Sequence, residues 1–232
     1  MIINKQLTTR NYENVNNTGR IKYIVIHYVG ATGGAKANCD YFKTTYRGAS
    51  AHYFVGHSGE VWQCVLDEDV AWHCGASSYK HKYCRNSNSI GIELCCRKDS
   101  KGQWYFEKET VDSAIELTKM LMKKYGVPVE NVIRHYDVTG KTCPEPYVRN
   151  SAEWNKFKSQ LTTANNATTK VESFLVRVNC DALNIRAGAG TNYKINGCIR
   201  DRGTYTIVQV QGDWGKLKSG AGWIHLGYTK RV

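Results

Sequence analysis

The sequence predicts an α/β domain followed by a small all-β domain, and three observations predict it. Before residue 161, apolar β-branched runs alternate with stretches of helical periodicity, as a single sheet core with covering helices requires. After residue 171, five short strand candidates are separated by Gly, Asn and Asp turns, the texture of a small barrel. Between them, residues 162–170 hold only Thr, Ala, Asn and a closing Lys, and read as a linker. The predicted organisation is therefore 1–161, a linker at 162–170, and 171–232.

The elements justify this in order. Tyr23-Ile24-Val25-Ile26-His27-Tyr28-Val29 is the kind of run found in a buried strand. Residues 36–46 can form a helix. Residues 51–56 and 57–65 read as a hairpin turning near Ser58-Gly59. Ser89 to Cys95 is another short strand. Val111, Ala114, Ile115, Thr118, Leu121, Met122 and Tyr125 recur at helical spacing, and Gly126 ends that helix. Val132-Ile133 leads as a strand into His135, and Asn150 or Ser151 can cap a helix carrying Trp154, Phe157 and Leu161. Beyond the linker, the strand candidates are 174–178, 182–186, 205–210, 214–217 and 222–225.

Composition narrows the partners. With 32 basic and 20 acidic residues the formal charge is +12, which favours polyanions: nucleic acid, acidic membrane lipid or the anionic polymers of a bacterial wall. The excess is spread along the chain. It forms no dense Lys/Arg run and no known nucleic-acid signature, so no nucleic-acid partner is expected. No apolar run is long enough to span a bilayer, so no stable membrane insertion is expected. The opening Met1-Ile2-Ile3-Asn4-Lys5-Gln6-Leu7 carries no apolar signal core, which gives an expectation of cytoplasmic synthesis. Nine cysteines, with no Cys-x-x-Cys pair, read mainly as reduced thiols rather than a disulfide framework.

Three residues carry chemistry together. His27 lies inside an apolar strand. His135 follows Val132-Ile133, and Cys143 comes eight residues later in Gly140-Lys141-Thr142-Cys143-Pro144. Two His and one Cys suit zinc and leave one position of a tetrahedral ion open, as catalytic zinc requires. Glu93, flanked by Ile90, Ile92, Leu94 and Cys95, reads as a partly buried carboxylate, which calls for a reason.

Five segments then appear in order: Ile24-Val25-Ile26-His27, Ser50-Ala51-His52-Tyr53, Ala71-Trp72-His73-Cys74-Gly75, Asn88-Ser89-Ile90-Gly91-Ile92-Glu93, and Arg134-His135 through Cys143-Pro144. In these the first domain resembles the zinc-dependent N-acetylmuramoyl-L-alanine amidases, the family that includes phage lysins and peptidoglycan recognition proteins. The resemblance implies a central mixed β-sheet flanked by helices. It implies hydrolysis of the amide between N-acetylmuramic acid and L-alanine in peptidoglycan. It further implies zinc on His27, His135 and Cys143, Glu93 as acid/base, Lys141 at the oxyanion, and Trp72 and His73 along the substrate groove. Some members carry a catalytic Tyr where this chain has Ala51, which moves the burden to Glu93. His52 reads as a core residue or as one orienting a metal ligand.

Residues 171–232 resemble bacterial SH3-like (SH3b) domains in Leu183-Asn184-Ile185-Arg186-Ala187-Gly188 through Tyr193, Gly212-Asp213-Trp214-Gly215 and Gly222-Trp223-Ile224-His225. That implies a wall-binding barrel, with Trp214 expected in its core. The functional expectation is a phage or prophage endolysin. The alternatives are a host autolysin of the same chemistry or a non-catalytic recognition protein, and Cys143 argues against the last.

Overall fold

The computed structural model describes residues 1–162, 173–191 and 193–232. It divides into two compact units, Met1–Thr162 and Thr163–Val232. All of the predicted linker except Thr162 lies outside the described residues, and Thr162 itself closes a helix.

The first unit is built on a six-stranded mixed sheet. Its strands are β1 (Ile3–Lys5), β2 (Tyr23–Tyr28), β3 (Tyr53–Val55), β4 (Val61–Gln63), β5 (Ser89–Leu94) and β6 (Val132–Arg134), in the order β1-β4-β3-β5-β2-β6. Only the β3/β4 hairpin is antiparallel; the other four neighbour pairs run parallel. The five helices are α1 (Ala35–Lys43), α2 (Lys108–Tyr125), α3 (His135–Thr139), α4 (Glu145–Arg149) and α5 (Ser151–Thr162).

Strand alternation divides the two faces. Ile24 and Ile26 of β2 and Ile90, Ile92 and Leu94 of β5 join Leu117 and Leu121 of α2 and Trp154, Phe157 and Leu161 of α5 in one core. The opposite face presents Val25 and His27 from β2, and Ser89, Gly91 and Glu93 from β5. There α1 packs through Ala35 and Cys39 against Phe54 and Cys64. Helix α2 stops where Gly126 turns left-handed, at φ 65°, and returns its N–H to the Met122 carbonyl. The Asn150 side chain caps α5 by accepting from the backbone N–H groups of Ala152 and Glu153.

Two features depart from the sequence expectation. Ile3–Lys5 adds an edge strand parallel to β4, too short and mixed to show a period. The segment after His135, read as a loop, contains α3 and α4; neither exceeds five residues, below the length at which periodicity speaks.

The second unit is a seven-stranded antiparallel sheet. Its strands are β7 (Phe174–Val178), β8 (Leu183–Arg186), β9 (Ile195–Ile199), β10 (Thr204–Gln211), β11 (Trp214–Leu217), β12 (Trp223–His225) and β13 (Thr229–Arg231), in the order β9-β8-β12-β11-β10-β7-β13. Val176, Val178, Leu183, Ile199, Ile207, Leu217 and Ile224 form its core. The two strands beyond the expected five, β9 and β13, are the outermost in that order. Asn196 and Gly197 in one, and Lys230 and Arg231 in the other, give them the polar character of edge strands. Trp214, expected in the core, is only half-buried and sits edge-on to His225 at 5.1 Å, whereas Trp223 is buried.

Phe157 is 1 % exposed between sheet and helices. Phe157→Ala should cost about 3–5 kcal/mol of stability, read as a lower urea midpoint with unchanged slope.

Candidate metal centre and catalytic cleft

Parallel pairing gathers the site. β2, β5 and β6 run the same way, so their carboxyl ends share one edge of the sheet, where α/β folds place ligands. Near that edge β2 carries His27 and β5 carries Glu93, in direct register across the ladder. β6 delivers His135 as the first residue of α3. Gly140, left-handed at φ 86°, then ends α3 and turns the chain back. The Tyr136 N–H donates to the Cys143 carbonyl at 2.7 Å, which folds the Lys141–Cys143 segment onto the helix.

Ligand atoms of His27, His135 and Cys143 all lie within 4.8 Å of one another, and all three side chains are buried. Cys143 Sγ is 3.7 Å from His27 Nδ1, and Glu93 Oε1 is 3.9 Å from the same nitrogen. The donor set is the borderline-soft kind that suits a zinc-like ion. His135 Nδ1 is buried without a hydrogen-bond partner, as a nitrogen reserved for an ion would be. The residues fit a metal.

The electrostatics agree with that fit. Burial, followed by the neighbouring His73 and His135, holds His27 well below the usual imidazole range. Burial and then Lys141 bring His135 down to about 4. Both rings are therefore neutral at pH 7, the form that binds metals. Burial and the Glu93 charge push the Cys143 thiol up, while a hydrogen bond from the Tyr28 backbone N–H works the other way. Glu93 keeps 19 % of its side-chain surface open, but its Oε2 is buried and unpaired. Burial pushes its carboxyl up to about 8, against a smaller opposing pull from Lys141. An acid poised there can both take and return a proton near neutrality.

Glu93, Lys141 and Cys143 line one cavity of about 280 Å³ with both histidines. An adjoining cleft of about 670 Å³ shares Trp72, His73, His135 and Lys141 with it and extends along Gly75 to Ser78. Trp72 and Lys141 thus face open space beside the cluster. His73 does so only marginally: it is 9 % exposed, and its Nδ1 lies 3.0 Å from His27 Nε2. His52 is fully buried; its Nδ1 accepts from the Gly91 N–H at 3.0 Å, so its Nε2–H donates to the Asp69 carbonyl. It thereby locks β5 from the side.

Tyr53, two residues after Ala51, packs into the core on the other side of the sheet, where its hydroxyl donates to Asp67. Cys64, Cys74, Cys84, Cys95 and Cys96 are all buried free thiols. Sequence reasoning missed the parts played by Ser89, Gly91 and Asn86. The signal was present, because Ser89, Gly91 and Glu93 stand at i, i+2 and i+4 of one strand and so share a face.

An α/β domain with a His-His-Cys cluster and a buried acid at the carboxyl edge of its sheet defines the class, a candidate metallohydrolase. The chain belongs to the N-acetylmuramoyl-L-alanine amidase family (Amidase_2), whose sequence profile matches residues 17–146. It is similar to the N-acetylmuramoyl-L-alanine amidase CwlL of Bacillus licheniformis, 35% identical over 153 residues, which cover 61% of this chain and 41% of that protein. It is also similar to AmiD of Escherichia coli, at 32% identity over 55% of this chain and 49% of that one. The chain spans about two fifths of the length of CwlL. Among solved structures, PlyL superposes with a TM-score of 0.60 at 25% identity, covering 71% of this chain and 99% of that one. The PlyG catalytic domain superposes at 0.59 and 27% identity, covering 74% and 100%.

The raised Glu93 acidity has a signed consequence for the metal-free protein. The folded carboxyl holds its proton up to about 8, and the unfolded one releases it near 4.5. Stability from this group is therefore complete below the unfolded value and is lost as pH rises through that window. Glu93→Gln should be neutral at pH 4 and stabilising by about 1–3 kcal/mol at pH 8.5, after discounting for the exposed edge. Urea melts of the metal-free proteins at the two pH values check this; equal offsets at both would refute it.

Proposed function

We propose that the chain is a zinc-dependent N-acetylmuramoyl-L-alanine amidase that hydrolyses the amide between the lactyl group of N-acetylmuramic acid and L-alanine in peptidoglycan. The observation that carries this is the convergence of His27, His135 and Cys143 in one cavity with the unpaired Glu93 Oε2 and the Lys141 ammonium. In this reading the two histidines and the thiolate hold zinc, which supplies Lewis acidity and acidifies water. Glu93 accepts the proton of the attacking water and passes it to the leaving L-alanine nitrogen. Lys141 sets a positive charge where the carbonyl oxygen becomes negative. Trp72 and the cleft along Gly75 to Ser78 receive the glycan or peptide flanking the scissile bond.

The second unit, in this reading, is an SH3b-type wall-binding domain, separated from the catalytic unit by the linker. Trp214, His225 and Tyr228 form a chain of ring contacts at 5.1 and 5.3 Å beside a cavity of about 430 Å³. Such a half-exposed aromatic surface suits a wall peptide. Tethering it to a hydrolase raises the local enzyme concentration on an insoluble substrate. The net charge of +12 adds attraction to anionic wall polymers. Among the described residues no helix is long and apolar enough to cross a membrane. A phage or prophage endolysin that meets the wall after release fits these features, and a host autolysin would share the chemistry.

The deciding assay incubates the purified protein with Gram-positive walls, with and without a zinc chelator. New L-alanine amino termini, without new reducing ends, should form, vanish on chelation and return with zinc. Wall binding with no new termini would replace this reading by non-catalytic recognition. Cys143→Ser should abolish zinc retention and turnover together. Glu93→Gln should keep zinc while kcat falls by about 10²–10⁴-fold; a zinc-replete, fully active variant would remove Glu93 from the mechanism. Trp214→Ala should weaken retention on walls about fivefold or more and leave hydrolysis of a soluble muropeptide unchanged.

A further inference from the structure

His73 lies in both cavities, yet its ring nitrogens are spent elsewhere. Nδ1 is 3.0 Å from His27 Nε2, and Nε2 is 3.2 Å from Ser89 Oγ. The Ser89 hydroxyl is 2.6 Å from the Arg85 carbonyl, which can only accept. These contacts decide where each hydrogen sits. Ser89 gives its single hydrogen to Arg85, so toward His73 it must accept, and His73 Nε2 carries a hydrogen. An imidazole in its neutral form carries one N–H and one lone pair. The neutral ring then has a lone pair at Nδ1, and His27 Nε2 must be the donor across the 3.0 Å contact.

We propose that His73 is a positioning residue: a relay from the Arg85 carbonyl through Ser89 and His73 fixes His27 as the Nε2–H tautomer, which turns the His27 Nδ1 lone pair toward Cys143 and Glu93. This rests on the reading of His27 as a metal ligand, and it moves His73 from the substrate groove to the support of that ligand. Outer hydrogen bonds of this kind orient a ligating imidazole and raise its basicity.

The surroundings are built for the relay. A Cβ on Gly91 would come within 2.5 Å of the His73 ring, so the ring needs a glycine beneath it. Asn86 Oδ1 accepts from the backbone N–H groups of His73 and Cys74, at 3.1 and 2.8 Å. On the other side, the Trp72 N–H donates to Ser50 Oγ and the Ser50 N–H to the Trp72 carbonyl, each at 2.9 Å. The backbone is thus pinned before and after His73, and the ring is seated on β5.

Two measurements test this on the full chain. Long-range ¹H–¹⁵N NMR of the metal-free wild type reads the tautomers directly: His27 and His73 should both be Nε2–H, with unprotonated Nδ1. Competition with a chromophoric chelator gives zinc affinity. His73→Leu, which cannot accept from His27, should bind zinc about 10–100-fold more weakly. His73→Asn, whose carboxamide oxygen can take the place of Nδ1, should stay close to wild type. An Nδ1–H tautomer at His27, a folded His73→Leu with wild-type affinity, or an Asn variant as weak as the Leu variant would overturn the relay. If His73→Leu fails to fold, the wild-type tautomers still decide. A folded wild type that takes up no zinc would sink the proposed function instead, while the tautomers of the metal-free chain would still decide the relay.

Discussion

The candidate site depends on the parallel pairing of β2 with β5. That ladder aligns His27 with Glu93 and directs both side chains away from the Ile and Leu core on the other face. A slip of one residue would send His27 into that core and lift Ile26 into the cleft, because side chains alternate with period two. The apolar partners Ile24, Ile26, Ile90, Ile92 and Leu94 forbid the slip, since their burial against α2 and α5 holds in one register only. Packing on one side of the sheet is thus what fixes chemistry on the other.

The same burial sets the protonation states. Taken from water, imidazoles lose their protons and carboxyls and thiols keep theirs. His27 and His135 are driven to the neutral form, and Glu93 and Cys143 toward the protonated one. Without a metal the cluster therefore carries little charge. A cation entering it would meet two neutral ligands and displace one thiol proton, so affinity is tied to pH. Lys141 is exposed at the rim and lines both cavities, so its charge acts on the cleft without the cost of burial.

Much of this was legible in the sequence, for physical reasons that also mark its limits. Long periodic segments announced β2, β5 and α2, and Gly126 and Asn150 marked helix ends through backbone chemistry that side-chain type reveals. His27, His135 and Cys143 stood out because buried-type His and a Cys beside Pro are costly choices. Their convergence did not follow from spacing, since 116 residues separate His27 from Cys143 and only the sheet order brings them together. Short pieces escaped altogether: β1, α3 and α4 owe their form to neighbours rather than to their own pattern. The contacts of His73 were not legible, because a Trp-His pair beside a groove looks alike whether its His faces the open cleft or a neighbouring His. Trp214 was misplaced because an aromatic in a strand gives no sign of which face it takes.

The segment from Ser89 to Glu93 draws these points together. Read as composition it is an apolar strand interrupted by a Ser, a Gly and a Glu. Read by alternation it is two ladders on one backbone. Ile90, Ile92 and Leu94 anchor the sheet to α2 and α5. Ser89 takes the His73 N–H, Gly91 makes room for the His73 ring, and Glu93 reaches the cleft beside His27. The interruptions are ordered along the strand as they are in space, from outer support to reacting edge. One strand therefore seats the His73 ring behind His27 and carries the candidate acid in front of it. Because the seat of the His73 ring and the candidate acid ride on one strand, their spacing is set by strand geometry, the precision that proton transfer over hydrogen-bond distances demands.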